Sequence, residues 1–252
     1  MRYRIDMCYD GSDFCGWQRQ TSDPSVQGTL EKALGILLHE KTEVTGAGRT
    51  DTGVHASAYT AHFDSETELD CALLRYRLNS ILPDSIAIKR MERTRDDFHA
   101  RFDANSREYL SLLHRNKNPF LKKRSYYYAY PELDFEEMNK AAQFLTGTHD
   151  FSCFEKGGSD NKTSVCTVTV ARWEPYGEDD GCWRFRIAAD RFLRNMVRAI
   201  VGTLLDVGRG RRSTEEFAGL ILPPETSGHQ TRRSLAGESV PAHALYLNGI
   251  TY

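Results

Sequence analysis

Hydrophobic periodicity runs through the same series of changes twice along the chain, and this doubled pattern restricts the fold more than any other feature. Tyr3, Ile5, Met7 and Tyr9 alternate with polar residues, the period of a half-buried strand. Gly11 opens a loop, Asp23-Pro24 supplies a cap and a first-turn proline, and Val26, Leu30, Ala33, Leu34, Leu37 and Leu38 recur at helical spacing. A short strand is expected near Thr42 to Thr45 and another over Ser57 to Phe63. A helix with Cys71, Leu74, Leu78 and Ile81 on one face follows, stopped by Pro83, and Ile86 and Ile88 begin a further strand. The order β-α-β-β-α-β is the split βαβ unit of ferredoxin-like folds.

The second half repeats it. A strand is expected at Arg107 to His114, then a helix capped by Asp134, with Glu137 three residues on, Leu133 placed to staple against Met138, and Gly147 as its stop. Strands at Val165 to Trp173 and Cys182 to Ala189 precede a helix carrying Leu193, Met196, Val197, Ile200, Val201, Leu204 and Leu205, ended by Gly208. A short helix capped by Ser213 with Glu216, a Pro223-Pro224 loop and a strand at Leu245 to Ile250 close the chain. Nothing resembling a linker separates the halves. The expectation is an α+β protein of two ferredoxin-like lobes, residues 1–105 and 106–252, sharing a mostly antiparallel central sheet with an active-site cleft between them.

Among 252 residues no apolar run approaches the roughly 20 needed to span a bilayer, and the N-terminal MRYRIDMCYDG lacks a signal-peptide core, so a cytoplasmic protein is expected. The six cysteines form no C-x-x-C pair and no zinc-like spacing, which points to buried free thiols and no metal. Net charge is only -2, so affinity for nucleic acid must come from distribution. Basic residues cluster at Arg90, Arg93 and Arg95, at Arg115 with Lys117, at Lys122 to Arg124, at Arg184 to Arg198 and at Arg209 to Arg212. Each cluster reads either as a solvated face or as an RNA surface.

The densest special segment is Gly46-Ala-Gly-Arg-Thr-Asp-Thr-Gly-Val-His-Ala56, with three glycines framing Arg49 and Asp51 between two strands. Glycines permit positive φ and close approach to a ligand. By itself the loop fits an ordinary turn with a surface ion pair as well as it fits a presented carboxylate. It contains neither G-x-x-x-x-G-K-[ST] nor G-x-G-x-x-G, which argues against nucleoside triphosphates.

GAGRTDTGVHA closely resembles the signature of the TruA family of tRNA pseudouridine synthases. The resemblance continues through YDGSDFCGWQRQ, PSVQGTLEKAL, LNSILPDSIAI, FHARFDA, SREYLSLL, HDFSCF, FLRNMVRAIVGTLLDVG and PAHALYL. It implies an isomerase that converts uridine to pseudouridine at positions 38, 39 and 40 of the tRNA anticodon stem-loop, without a cofactor, as a homodimer. It assigns catalysis to Asp51 and places Arg49 in the flipped-nucleotide site. Tyr109 corresponds to the family's active-site tyrosine, stacking on uracil and transferring the C5 proton. Leu245, or Leu247 on the same strand face, corresponds to an apolar shelf; most members carry Gly where this chain has Ala244, which leaves that register open. Arg198, with Arg191, Arg194 and Asn195 beside it, falls in a segment that approaches the cleft in the family, where it supports the site or a phosphate.

Several residues read more simply. His55, four residues after Asp51, is expected to pack rather than act as an acid, and Asp150, Phe151 and Phe154 to form cleft wall. Trp17 suits either packing or stacking on RNA. Two rival functions remain at this stage. A glycosidase would need a second carboxyl at defined separation, which no motif nominates. A non-catalytic RNA-binding module would carry RNP aromatic signatures, which are missing from the sequence.

Overall fold

The computed structural model describes residues 1–158, 162–177, 180–226 and 233–252. These form an α+β fold of two compact units, the first spanning residues 1–106 with 246–252, the second 107–245.

In the first unit, β1 (Arg2–Tyr9), α1 (Val26–Leu38), β2 (Val44–Gly46), β3 (His55–Asp64), α2 (Cys71–Ile81) and β4 (Ile86–Arg93) follow the expected order. β1 pairs antiparallel with both β3 and β4, and β2 pairs antiparallel with β3, giving the order β4-β1-β3-β2 of a split βαβ unit. Every second residue of β1 is buried, with Tyr3 opposite Phe63, Ile5 opposite Ala61 and Met7 opposite Tyr59. Val26, Leu30, Ala33 and Leu34 of α1 and Leu74 and Leu78 of α2 are buried.

Two helix details differ from expectation. The cap of α1 is Ser25, whose Oγ accepts from Gly28 N at 3.2 Å, not Asp23. Residues 24–27 are held instead in a ladder with 15–17, through Cys15 N to Pro24 O, Val26 N to Gly16 O and Gln27 N to Trp17 O. In α2, Ile81 is 45% exposed, so the buried face is narrower than the periodicity suggests. Leu82 turns to ψ 149° before Pro83, as the clash with the proline ring demands.

The second unit holds β5 (Ser106–His114), β6 (Tyr126–Tyr127), α3 (Phe135–Gln143), β7 (Gly147–Asp150), β8 (Val165–Pro175), β9 (Cys182–Ala189), α4 (Met196–Gly208) and α5 (Thr214–Ala218). β5, β9, β8 and β7 pair antiparallel in that order, and β6 adds to β5 in parallel. β6 and β7 are additions to the expected pattern. Asp134 caps α3 by accepting from Glu136 N and Glu137 N, but Glu137 pairs with Lys140 at 2.6 Å and does not close a capping box. Gly147, at φ 116°, starts β7; α3 has already ended at Gln143, one residue after its last buried alanine, and the chain turns through Leu145. α4 is almost wholly buried and begins at Met196, because Asn195 takes a left-handed conformation (φ 64°) that leaves Leu193 in the preceding turn. The box between Ser213 and Glu216 on α5 is formed in both directions.

The last strand, β10 (Leu245–Thr251), runs parallel to β3 with Tyr246 opposite His55 and Leu247 opposite Ala56. From Tyr246 onward it belongs to the first unit, where a boundary at residues 105–106 would have put it with the second. Long-range bonds account for this: Asn105 N donates to Thr251 O at 2.8 Å, and the Tyr252 hydroxyl donates to Ala100 O at 2.8 Å.

Candidate active site

The Arg49–Asp51 loop connects β2 to β3, and main-chain groups on both sides of Asp51 are hydrogen-bonded. Ala47 N donates to Thr60 O at 2.9 Å, and the Tyr59 hydroxyl donates to Gly48 O. Thr50 O accepts from Trp17 N at 3.2 Å, and its Oγ1 shares a buried hydrogen bond of 2.8 Å with the Tyr9 hydroxyl. Beyond the aspartate, Val54 N donates to Asp51 O at 3.1 Å and Gly53 N to Phe14 O at 3.3 Å. Thr50 is buried, Asp51 is half-buried and Thr52 is exposed, so the chain emerges from the core at the carboxylate.

The clamp on this loop comes from residues 9–18. Gly16 adopts φ 89°, and a side chain there would run into Thr50 O and stand 3.2 Å from Asp51 C. A non-glycine residue would therefore be strained and would push the loop. Of the three glycines inside the loop, only Gly53 takes positive φ (77°). Gly46 instead leaves room for Trp17 and Tyr59, whose rings stack at 4.1 Å, while Gly48 faces open space. Trp17 is 2% exposed between Tyr59 and Tyr9, which settles its role as packing. Sequence reasoning did not find this clamp. Its only local signal was a pair of glycines around Phe14 and Cys15, which suggests a loop but names no partner.

Arg49 is exposed and its Nε donates to Gln18 Oε1 at 3.1 Å, so the arginine is tethered to the same clamp. His55 is 3% exposed and stacks on Tyr246 at 4.6 Å, with Nδ1 3.0 Å from both Gly11 N and Asp10 Oδ1. It is a packing residue, as expected.

In the second unit Tyr109 is half-buried on β5, opposite Ile187 in register, and meets Phe192 edge-on at 5.1 Å. Arg198 lies in the first turn of α4, where its Nε donates to Val240 O at 2.8 Å and its carbonyl accepts from Val240 N at 3.2 Å. Asn195 Nδ2 donates to Ser239 Oγ at 2.6 Å. These two residues tie the segment leading to Leu245 to the start of α4. Leu245 and Leu247 are 5% and 2% exposed. Phe151 and Phe154 are fully buried, and Asp150 is buried with Oδ1 accepting from Ser152 N at 2.8 Å, so this segment is structural.

Comparison with known proteins agrees with these features. A family model described as tRNA pseudouridine synthase matches residues 7–103 and 141–252. A Bacteroides thetaiotaomicron protein named tRNA pseudouridine synthase A is 46% identical over 252 residues, covering 100% of this chain and 90% of its own. The protein of that name from Porphyromonas gingivalis is 46% identical, covering 100% of this chain and 97% of its own. The Bacillus licheniformis one is 41% identical, covering 100% and 99%. No helix of the described residues is long and apolar enough to cross a membrane. The matched model spans most of the chain and full-length relatives exceed 40% identity, so the chain belongs to the tRNA pseudouridine synthase family.

Proposed function

We infer that the protein isomerises uridine to pseudouridine in tRNA, with Asp51 as the group that engages ribose C1′. The observation that carries this reading is the anchoring of the main chain on both sides of a half-exposed carboxylate, which holds one acid in place at little entropic cost during reaction.

The reaction breaks the C1′–N1 bond, turns the uracil and joins C5 to C1′. N1 gains a proton, C5 loses one, and the product is an isomer of the substrate. A carboxylate serves as nucleophile toward C1′ or as the ion-pair partner of an electron-poor sugar. Tyr109 stacks on the uracil and carries the C5 proton, Arg49 holds the flipped nucleotide, and Leu245 forms an apolar shelf. Arg198 supports the site or a phosphate, with its Nε donating to Val240 O. The substrate positions are 38, 39 and 40 of the anticodon stem-loop, and the enzyme acts in the cytoplasm as a homodimer that needs no cofactor. Family membership supports this reading over a glycosidase or a non-catalytic RNA-binding module.

The test uses a tRNA transcript containing 5-tritiated uridine. Only joining through C5 displaces that label, so tritium release together with pseudouridine in the digested product is expected. Free uracil without pseudouridine would indicate a hydrolase, and binding without either product would indicate a non-catalytic module.

A further inference from the structure

The basic clusters of the sequence separate into two kinds once their partners are known. Arg90 pairs with Glu92 at 2.5 Å, Arg95 with Asp97 at 3.2 Å and with Asp103, Arg184 with Glu174 at 2.6 Å, and Arg186 with Glu108 at 2.6 Å. Their charge is largely neutralised within the protein. Lys122, Lys123, Arg209 and Arg211 form no ion pair with a carboxylate among the described residues, and neither does Arg115.

Two of the second kind, Arg115 and Arg209, meet at Tyr130. The Arg209 guanidinium lies over the Tyr130 ring at 3.6 Å from its centroid, and Arg115 Nη2 donates to Tyr130 O and, at 3.1 Å, to Pro131 O. Tyr130, Tyr128 and Tyr126 form a ladder with ring centroids 5.0 and 5.4 Å apart, and Lys122 and Lys123 precede it in the chain. Residues 115–131 contain no acid. Acids bound the run instead, with Asp180 beside Asn116 and Asp206 one turn before Arg209. The lysines and Arg211 are exposed, and Tyr130 is 47% exposed.

Cations without carboxylate partners, two of them at the half-exposed end of an aromatic ladder and the others close by in sequence, suit a polyanion with regularly spaced charges and flat bases. We propose that the surface formed by Arg115, Lys122, Lys123, Tyr130, Arg209 and Arg211 is a docking site for the tRNA phosphate backbone, separate from the Asp51 loop. This rests on the reading of the protein as a tRNA pseudouridine synthase. The surface supplies affinity and register, and contributes nothing to bond rearrangement.

The test measures equilibrium binding of an unmodified tRNA transcript across a salt series, together with single-turnover tritium release at saturating tRNA. Each phosphate that is no longer neutralised lowers the slope of log K against log salt by about 0.7 to 0.9. K122Q/K123Q and R209Q/R211Q should each lower it by about 1.4 to 1.8, so that a fourfold rise in salt weakens their binding about tenfold less than the parent's. Their single-turnover rates should match the parent's. The control R184Q/R186Q, which removes cations already paired, should leave the slope unchanged. The proposal is overturned if both test variants keep the parent slope, if the control lowers it as much as they do, or if they change oligomeric state with the slope intact, which would make the surface a protein interface. An inactive parent enzyme would refute the functional reading instead, so the two failures are distinguishable.

Discussion

Gly16→Ala should disable the enzyme without replacing any residue of the proposed chemistry. At φ 89° an alanine carries about 1 to 2 kcal/mol of backbone strain. Its methyl group would also overlap Thr50 O, a main-chain atom that cannot rotate away, and would stand 3.2 Å from Asp51 C. Relief requires the Thr50–Asp51 peptide to retreat, by a shift on the order of 1 Å, and a displacement of that size at a reacting group costs about 100-fold in rate. The same shift strains the hydrogen bond from Trp17 N to Thr50 O and the one between the Tyr9 hydroxyl and Thr50 Oγ1. Gly48→Ala is the matched control, because a methyl there meets nothing within 4 Å and Gly48 does not need positive φ. Single-turnover tritium release at saturating tRNA should fall about 100-fold in the first variant and less than about threefold in the second. Tm should drop only in the first. A Gly16→Ala enzyme that turned over at the parent rate would show that the clamp does not set the position of Asp51.

Asp51→Asn should abolish turnover while leaving Tm and tRNA affinity near the parent's, since the amide keeps size and polarity but cannot attack C1′; product formation near the parent single-turnover rate would remove Asp51 from the mechanism. Tyr109→Phe keeps the ring and its packing against Phe192, so it should bind tRNA normally yet release tritium far more slowly, and normal release would return Tyr109 to packing. Enzyme stripped with chelator should act on prefolded tRNA at the untreated rate, and activity restored specifically by zinc would contradict this. Burial, with the Arg2 charge beside it, pushes the His62 imidazole down from 6.5 to about 4. The folded chain then excludes a proton that the unfolded chain binds below about 6.5. The stability involved is fully present above that pH and is lost as pH falls toward 4, by up to about 3 kcal/mol. Urea midpoints at pH 7 and 4.5 should therefore differ less in His62→Asn than in the parent, and equal differences would refute the assignment.

What was legible in the sequence was local. The alternation of Tyr3, Ile5, Met7 and Tyr9 and the reciprocal box of Ser213 with Glu216 each depend on residues within a few positions of one another, and each is found as expected. The helix start at Ser25 instead of Asp23 was not legible, because the ladder that holds residues 24–27 is made with residues 15–17 and nothing in the local pattern announces it. The same holds for β10, whose partner strand lies about 190 residues earlier in the chain. The Asp51 loop stood out by composition, yet composition misattributed its glycines. Positive φ is needed at Gly53 inside the loop and at Gly16 outside it, and Gly46 is small because Trp17 and Tyr59 fill the space beside it.

Charge gives the sharpest case of what proximity in sequence leaves undecided. Arg184 and Arg186 read in sequence as a basic stripe much like Lys122 and Lys123, but their partners are Glu174, ten residues back, and Glu108, 78 residues back. An arginine already paired to a carboxylate offers a phosphate only the difference between two similar interactions, and must first give up the one it has. A lysine in water with no carboxylate beside it gives up no ion pair on binding a phosphate, and the counterions condensed on the RNA at that phosphate are released. The protein's near-zero net charge is thus compatible with strong RNA affinity: what matters is which cations lack a carboxylate partner after folding, and folding pairs off Arg90, Arg184 and Arg186 while leaving Lys122, Lys123, Arg209 and Arg211 without one among the described residues.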